Sequence, residues 1–213
     1  MDEQAIKITL LLAAAVCSYL AAGVNYAVIF SKVFYHQDIR TLGSGNPGFT
    51  NFKRVFGGKL AWVVLLLDLL KAAIPVIIFS MLFEHFMLLR QFGAVYSGFF
   101  AMLGHAYPIW YDFKGGKSFI AGVSTVWVVD WRIGLISLIV FLTILFVTHY
   151  MSLASVASTI LYPIMLPFFG CGIITAAIAA LSALLVAWRH KDNIKRLING
   201  TEKKFYLKSK PQS

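Results

Sequence analysis

Charge is scarce in this chain, and acid is scarcest: 13% of its residues are charged, with 9 Asp+Glu against 19 Lys+Arg. A soluble domain carries about twice that charged share, so a water-soluble globule is a poor fit. Disorder is a poor fit as well, because disordered chains are polar and this one is 59% apolar. Two cysteines in 213 residues exclude a disulfide-built scaffold. Cys17 and Cys171 sit in apolar runs and are expected as small buried residues. No Cys/His metal spacing, dinucleotide-binding glycine pattern or serine-hydrolase elbow is present. There is no clear internal repeat and no low-complexity segment.

What is abundant is apolar surface. The mean hydropathy is +0.77, which points to a polytopic membrane protein. The net charge of +10 is expected to mark one face, the cytoplasmic one. It also attracts anionic substrates or lipid headgroups. Too little of the chain faces water to build a nucleic-acid-binding domain.

The few charges punctuate the chain. None lies between Lys7 and Lys32, enough to cross a bilayer at roughly 20 residues per span. This first helix lacks a basic leader and an obvious cleavage site, so it is expected to be retained. Leu60 to Phe83 is interrupted only by Asp68 and Lys71, and a third stretch runs from Gln91 to Tyr111. Ser118 to Val129 is short for a span. From Ile133 to Trp188 there is no formal charge, room for three short helices with breaks near His149–Ser155 and Pro163–Pro167. The expectation is an all-α bundle of seven transmembrane helices in one domain, residues 1–213. Its N-terminus lies outside and its basic C-terminus is cytoplasmic. Loops at about 32–59, 104–117, 149–155 and 189–213 then share one side with most of the basic residues, Lys208 and Lys210 included.

Those loops hold the chemistry. GSGNPGFTNFKR, Gly43 to Arg54, is glycine-rich and ends on a guanidinium able to hold a phosphate by two hydrogen bonds. An ordinary turn between helices fits it equally from composition. GHAYP, Gly104 to Pro108, precedes DFKGGK, whose glycine-flanked lysines suit a phosphate although the spacing is not that of a P-loop. His105 is either a satisfied polar residue or a proton acceptor. The serines of SLAS, Ser152 and Ser155, satisfy the backbone or orient a ligand. In the tail RHKDNIKRLINGTE, the basic residues serve topology, while Asn193 and Glu202 fit that explanation less well. Asp68 and Lys71, three apart on a helix, are expected to pair facing the bundle interior; a transporter's midplane site is the rival reading.

In this order, GSGNPGFTN with Arg54, GHAYP with FKGGK, SLAS and RHKDNIKRLINGTE resemble the bacterial acyl-phosphate-dependent glycerol-3-phosphate acyltransferases. The resemblance implies a seven-helix enzyme of the bacterial inner membrane with its motif loops in the cytoplasm. It implies transfer of a fatty acyl group from acyl phosphate to the 1-hydroxyl of sn-glycerol 3-phosphate, giving 1-acylglycerol 3-phosphate and phosphate. It needs no metal or cofactor, and its partners are the two substrates and membrane lipid. Of the expected catalytic set the resemblance supplies Ser44, His190 and Asn193, and the residues themselves add Asn46 and Ser152 as hydrogen-bonding groups and His105 as proton acceptor. Thr50, Asn51, Arg54, Lys114, Gly115, Gly116 and Lys117 would bind substrate phosphate, and Asp68, Lys71 and Glu202 would support structure. The chain departs from the family's pattern at Asn25, at Phe49 and after Lys117, where Ser118, Phe119 and Ile120 follow. A small transporter and a catalytically silent homologue are the alternatives.

Overall fold

The computed structural model describes residues 2–206; Lys208 and Lys210 of the expected basic face lie outside them. Among the described residues the chain is helical throughout, with no strand. The helices are α1 (Glu3–Gly23), α2 (Tyr26–Tyr35), α3 (Phe49–Phe56), α4 (Leu60–Met87), α5 (Arg90–Ala106), α6 (Phe119–Val129), α7 (Trp131–Thr148), α8 (Met151–Met165), α9 (Ile173–Arg189) and α10 (Lys191–Ile198).

Each break has a local cause. The first apolar run is two helices, not one. Asn25 stops α1 and caps α2, accepting from Val28 N at 3.0 Å, and its Nδ2 donates to the Pro47 carbonyl at 3.1 Å. The departure at Asn25 therefore ties the helix break to the glycine-rich loop. The second half of that loop is itself a helix, α3. Phe49 and Phe52 recur at helical spacing and are buried together with Asn51, while Thr50, Lys53 and Arg54 are less covered. At the α6–α7 break, Asp130 accepts from Arg132 N at 2.9 Å and pairs with its guanidinium at 2.7 Å. His149, in the left-handed conformation, turns α7 into α8. The expected break at Pro163–Pro167 falls where α8 gives way to a 3₁₀ turn. α8 continues to Met165, a short 3₁₀ turn follows, and the chain reverses at Gly170 and Gly172. Proline removes one helical hydrogen bond, and glycine at φ +81° supplies the reversal.

Among the described residues four helical stretches are long and apolar enough to cross a membrane: Glu3–Tyr35, Leu60–Met87, Trp131–Thr148 and Met151–Phe169. α9 with α10 makes a fifth if the 60° bend between them belongs to one span. Large apolar side chains such as Leu12, Met81, Phe146 and Leu184 stay exposed, as a lipid-facing surface requires. Cys17, expected inside, is exposed on α1, whereas Cys171 is buried. In a membrane helix a small apolar residue is as well solvated by lipid as by protein.

Helix order gathers the motif loops at one end. The α1 C-terminus lies there, with Tyr19 Oη donating to the Tyr107 carbonyl at 2.6 Å. The tail closes over the same end: Phe205 N donates to the His149 carbonyl at 2.8 Å, and the Phe205 ring packs 6.3 Å from Phe49.

Candidate active site

A cavity of about 590 Å³ opens at this end. Its mouth is lined by Ser44, Asn46, Thr50 and Arg54 from the loop and α3, and by Lys117, Ser152, His190, Asn193, Arg196, Glu202 and Lys203. His105 and Asp68 reach it from α5 and α4. The rest of the lining is mostly apolar, from Trp62 and Leu65 of α4 to Phe141 and Leu142 of α7.

Glu202 organises the charged wall. It accepts from Asn193 Nδ2 at 2.6 Å, Ser152 Oγ at 2.7 Å and Arg196 Nε at 2.8 Å. Burial pushes its carboxyl up, but these three hydrogen bonds outweigh that and hold it below the ordinary range. Lys117 Nζ donates to Asn193 Oδ1, so the network joins the second motif loop to the tail. Burial lowers the Lys117 pKa to about 8; Glu202 opposes the shift, and Arg196, Arg189 and Arg54 add to it. Arg54 makes no hydrogen bond or ion pair among the described residues and is partly desolvated. Ser44, Asn46 and Thr50 likewise have no side-chain partner there. These are donors left for a ligand.

The two histidines differ. His190, just past α9, has Nδ1 2.8 Å from the Val186 carbonyl. A carbonyl only accepts, so Nδ1 carries the proton and Nε2 a lone pair. Burial, and then Lys117, lower its pKa to about 4, so this imidazole is neutral at pH 7. His105 is buried with Nδ1 unpartnered among the described residues.

Four expected phosphate contacts take other roles. Gly115 N donates to the Ala106 carbonyl at 3.2 Å and Gly116 N to the His105 carbonyl at 2.9 Å, so neither amide is available to an anion. Their carbonyls accept from Arg189, at 2.8 and 3.0 Å. The glycines are needed because a side chain would collide with the His105 carbonyl at Gly115 and with the His105 ring at Gly116. Lys114 is exposed and does not line the cavity. Asn51, though at the wall, spends its amide on the loop. Nδ2 donates to the Leu42 carbonyl at 2.9 Å and Oδ1 accepts from Ser44 N at 2.9 Å, with Gly43 at φ +60° allowing the close approach. It shapes the loop that presents Ser44.

Gly115→Ala tests this correction. It keeps the N–H but forces the loop off α5. It is expected to destabilise the protein by about 2 kcal/mol and lower turnover at least about tenfold, read by thermal unfolding in detergent beside an activity assay. An amide cradle would predict an unchanged unfolding temperature.

Asp68 and Lys71 make a buried ion contact of 2.7 Å, and Lys71 also donates to the Val24 carbonyl at the end of α1. Asp68 lines the cavity and Lys71 does not. Arg196 and Lys203 line the cavity and Arg189 holds the glycine loop, although from the sequence the tail's cations are expected to serve topology. The only signal was their adjacency to His190, Asn193 and Glu202.

Residues 12–200 match the glycerol-3-phosphate acyltransferase family. The chain belongs to that family. A glycerol-3-phosphate acyltransferase of Rhizobium etli is 36% identical over 203 residues, 95% of each chain. One from Francisella tularensis subsp. holarctica is 34% identical over 196 residues, 92% of this chain and 93% of its own. The crystal structure of PlsY (YgiH), an integral membrane glycerol 3-phosphate acyltransferase, in its glycerol 3-phosphate form superposes with a TM-score of 0.84 at 32% identity, covering 92% of this chain and 96% of that one. Its lysophosphatidic acid form gives 0.80 at 30% identity. Membership of the acyltransferase family and the apolar helices make this a multi-pass integral membrane protein.

Proposed function

We propose that this acyltransferase moves a fatty acyl group from acyl phosphate to the 1-hydroxyl of sn-glycerol 3-phosphate, releasing 1-acylglycerol 3-phosphate and phosphate. The observation that carries the reading is the cavity itself, cationic and donor-rich at its mouth and apolar along its length. Such a shape suits one small doubly charged acceptor and one lipid donor. We place it in the bacterial inner membrane with seven crossings, the N-terminus outside and the site facing the cytoplasm, as the basic loops at that end favour. The short α6, about 16 Å long, crosses only with its flanking turns.

Acyl phosphate is a mixed anhydride with a good leaving group, so no enzyme nucleophile is required. Lys117, held by Asn193, takes the glycerol 3-phosphate phosphate. Arg54, Ser44 and Asn46 take the donor's phosphoryl and carbonyl oxygens, where negative charge develops in the transition state. The 1-hydroxyl oxygen bonds to the carbonyl carbon, the C–O bond to phosphate breaks, and inorganic phosphate leaves. The hydroxyl proton passes to His105 or to the acceptor's own phosphate. Trp62, Leu138 and Phe146 line the groove and are also exposed, which opens it sideways to lipid between α4 and α7.

A carrier needs a path through the bundle. Here Val126 and Tyr162 line the cavity and belong to a packed cluster with Val95, Val129, Ile133 and Leu166 that fills the space beyond. The blind end favours an enzyme. Purified protein given glycerol 3-phosphate with dodecanoyl or palmitoyl phosphate is expected to release phosphate without coenzyme A. Turnover only with acyl-coenzyme A or acyl carrier protein overturns the donor assignment, and glycerol 3-phosphate flux into protein-bearing liposomes without acyl transfer overturns the enzyme.

A further inference from the structure

The inner end of the groove has a definite floor. Gly134 of α7 lines it, and Trp127 of α6 lies so close over Gly134 that a Cβ there would stand 2.7 Å from the indole. Val126 and Tyr162 complete the same level, and Tyr162 is 3% exposed. No residue of α8 beyond Tyr162 lines the cavity. Between the polar mouth and this floor, α8 contributes Ser155, Ser158 and Thr159, whose hydroxyls donate to carbonyls one turn earlier and so present methylene and methyl surface to the groove.

We propose that Tyr162 is the stop that sets the acyl-chain length. The proposal rests on the acyltransferase reading and adds the substrate's size. From Ser152 at the mouth to Tyr162, α8 rises about 15 Å. A zigzag alkyl chain advances about 1.25 Å per bond, given C–C bonds near 1.5 Å and angles near 111°. About a dozen carbons therefore lie straight between the reacting carbonyl and the Tyr162 ring. A longer chain must turn out through the lateral opening. Burial does not select length, because a donor drawn from lipid exchanges one apolar environment for another. Selection is steric, and it resides in the ring of Tyr162. The hydroxyl has no partner among the described residues and takes no part in the stop.

The test compares kcat/KM for saturated acyl phosphates of eight to eighteen carbons, each at equal mole fraction in detergent micelles. The wild type is expected to be flat to about twelve carbons and about tenfold poorer at sixteen, the cost of forcing excess methylenes into a packed site. Tyr162→Phe keeps that profile. Tyr162→Ala brings sixteen carbons to within about twofold of twelve, since removing the ring opens the floor even after partial collapse. Thr159→Leu thickens the wall about 4.5 Å above the floor and moves the drop about three to four carbons shorter; it decides the matter if Tyr162→Ala does not fold. A wild-type profile without a break overturns the proposal, as does a break left in place in folded Tyr162→Ala or Thr159→Leu. Failure to turn over any acyl phosphate overturns instead the reading beneath it.

Discussion

Replacing Lys117 by alanine is expected to lower kcat/KM for glycerol 3-phosphate about 100-fold, with most of the loss in KM. One charge-assisted contact to phosphate is worth about 1.5–3 kcal/mol, and this ammonium is desolvated, which puts the effect toward the upper end. Lys114→Ala, one glycine pair away, is expected to change kcat/KM less than about threefold, because Lys114 is exposed off the cavity and acts only through screened long-range attraction. Equal losses in the two variants would return the phosphate site to the whole loop. A pH profile adds an independent readout. Lys117 titrates at about 8 in the free protein, so it is cationic below that pH and neutral above it. The acceptor phosphate becomes doubly charged above about pH 6, by analogy with phosphoserine. kcat/KM is therefore expected to rise through about pH 6 and fall through about 8. In Lys117→Arg the alkaline fall disappears, because a guanidinium keeps its charge.

The bundle was legible because charge is so scarce here that, apart from the Asp68–Lys71 pair inside α4, charge clusters fall at or near helix ends. The breaks at His149 and Asp130 fell where the sequence reading put polar residues between apolar runs. α3 was hidden because its glycine-rich lead-in resembles a turn, and its amphipathic period, carried by Phe49 and Phe52, is too short to stand out. The break at Asn25 was hidden for the opposite reason, being one polar residue inside an apolar run. Motif composition brought Ser44, Arg54, Lys117, Asn193 and Glu202 forward correctly as neighbours, since the structure lines one cavity with them. It failed on direction. Whether a glycine amide faces a ligand or the preceding helix depends on the packing of His105 beneath it. Nothing in FKGGK encodes that.

Glu202 carries the other large effect. Its carboxylate stands in a wall holding Arg54, Lys117, Arg196 and Lys203, and its removal leaves Asn193 and Ser152 without the acceptor they share. Glu202→Ala is expected to reduce kcat/KM about 100-fold and to destabilise the fold by about 2 kcal/mol, read by turnover and thermal unfolding. The stability figure stays modest because Arg196 is 41% exposed and water screens that arm of the pair. Glu202→Gln separates charge from shape. It retains an oxygen acceptor for Ser152 and Asn193, so the fold is expected to hold. It removes the charge that keeps Lys117 protonated against burial and three nearby guanidinium groups. The Lys117 pKa then falls below 8, and the alkaline limb of kcat/KM moves toward neutral pH. A purely structural glutamate would lower activity at every pH alike and leave that limb in place. The shift of the limb in Glu202→Gln, together with its disappearance in Lys117→Arg, tests whether the carboxylate acts on catalysis by holding the proton on Lys117.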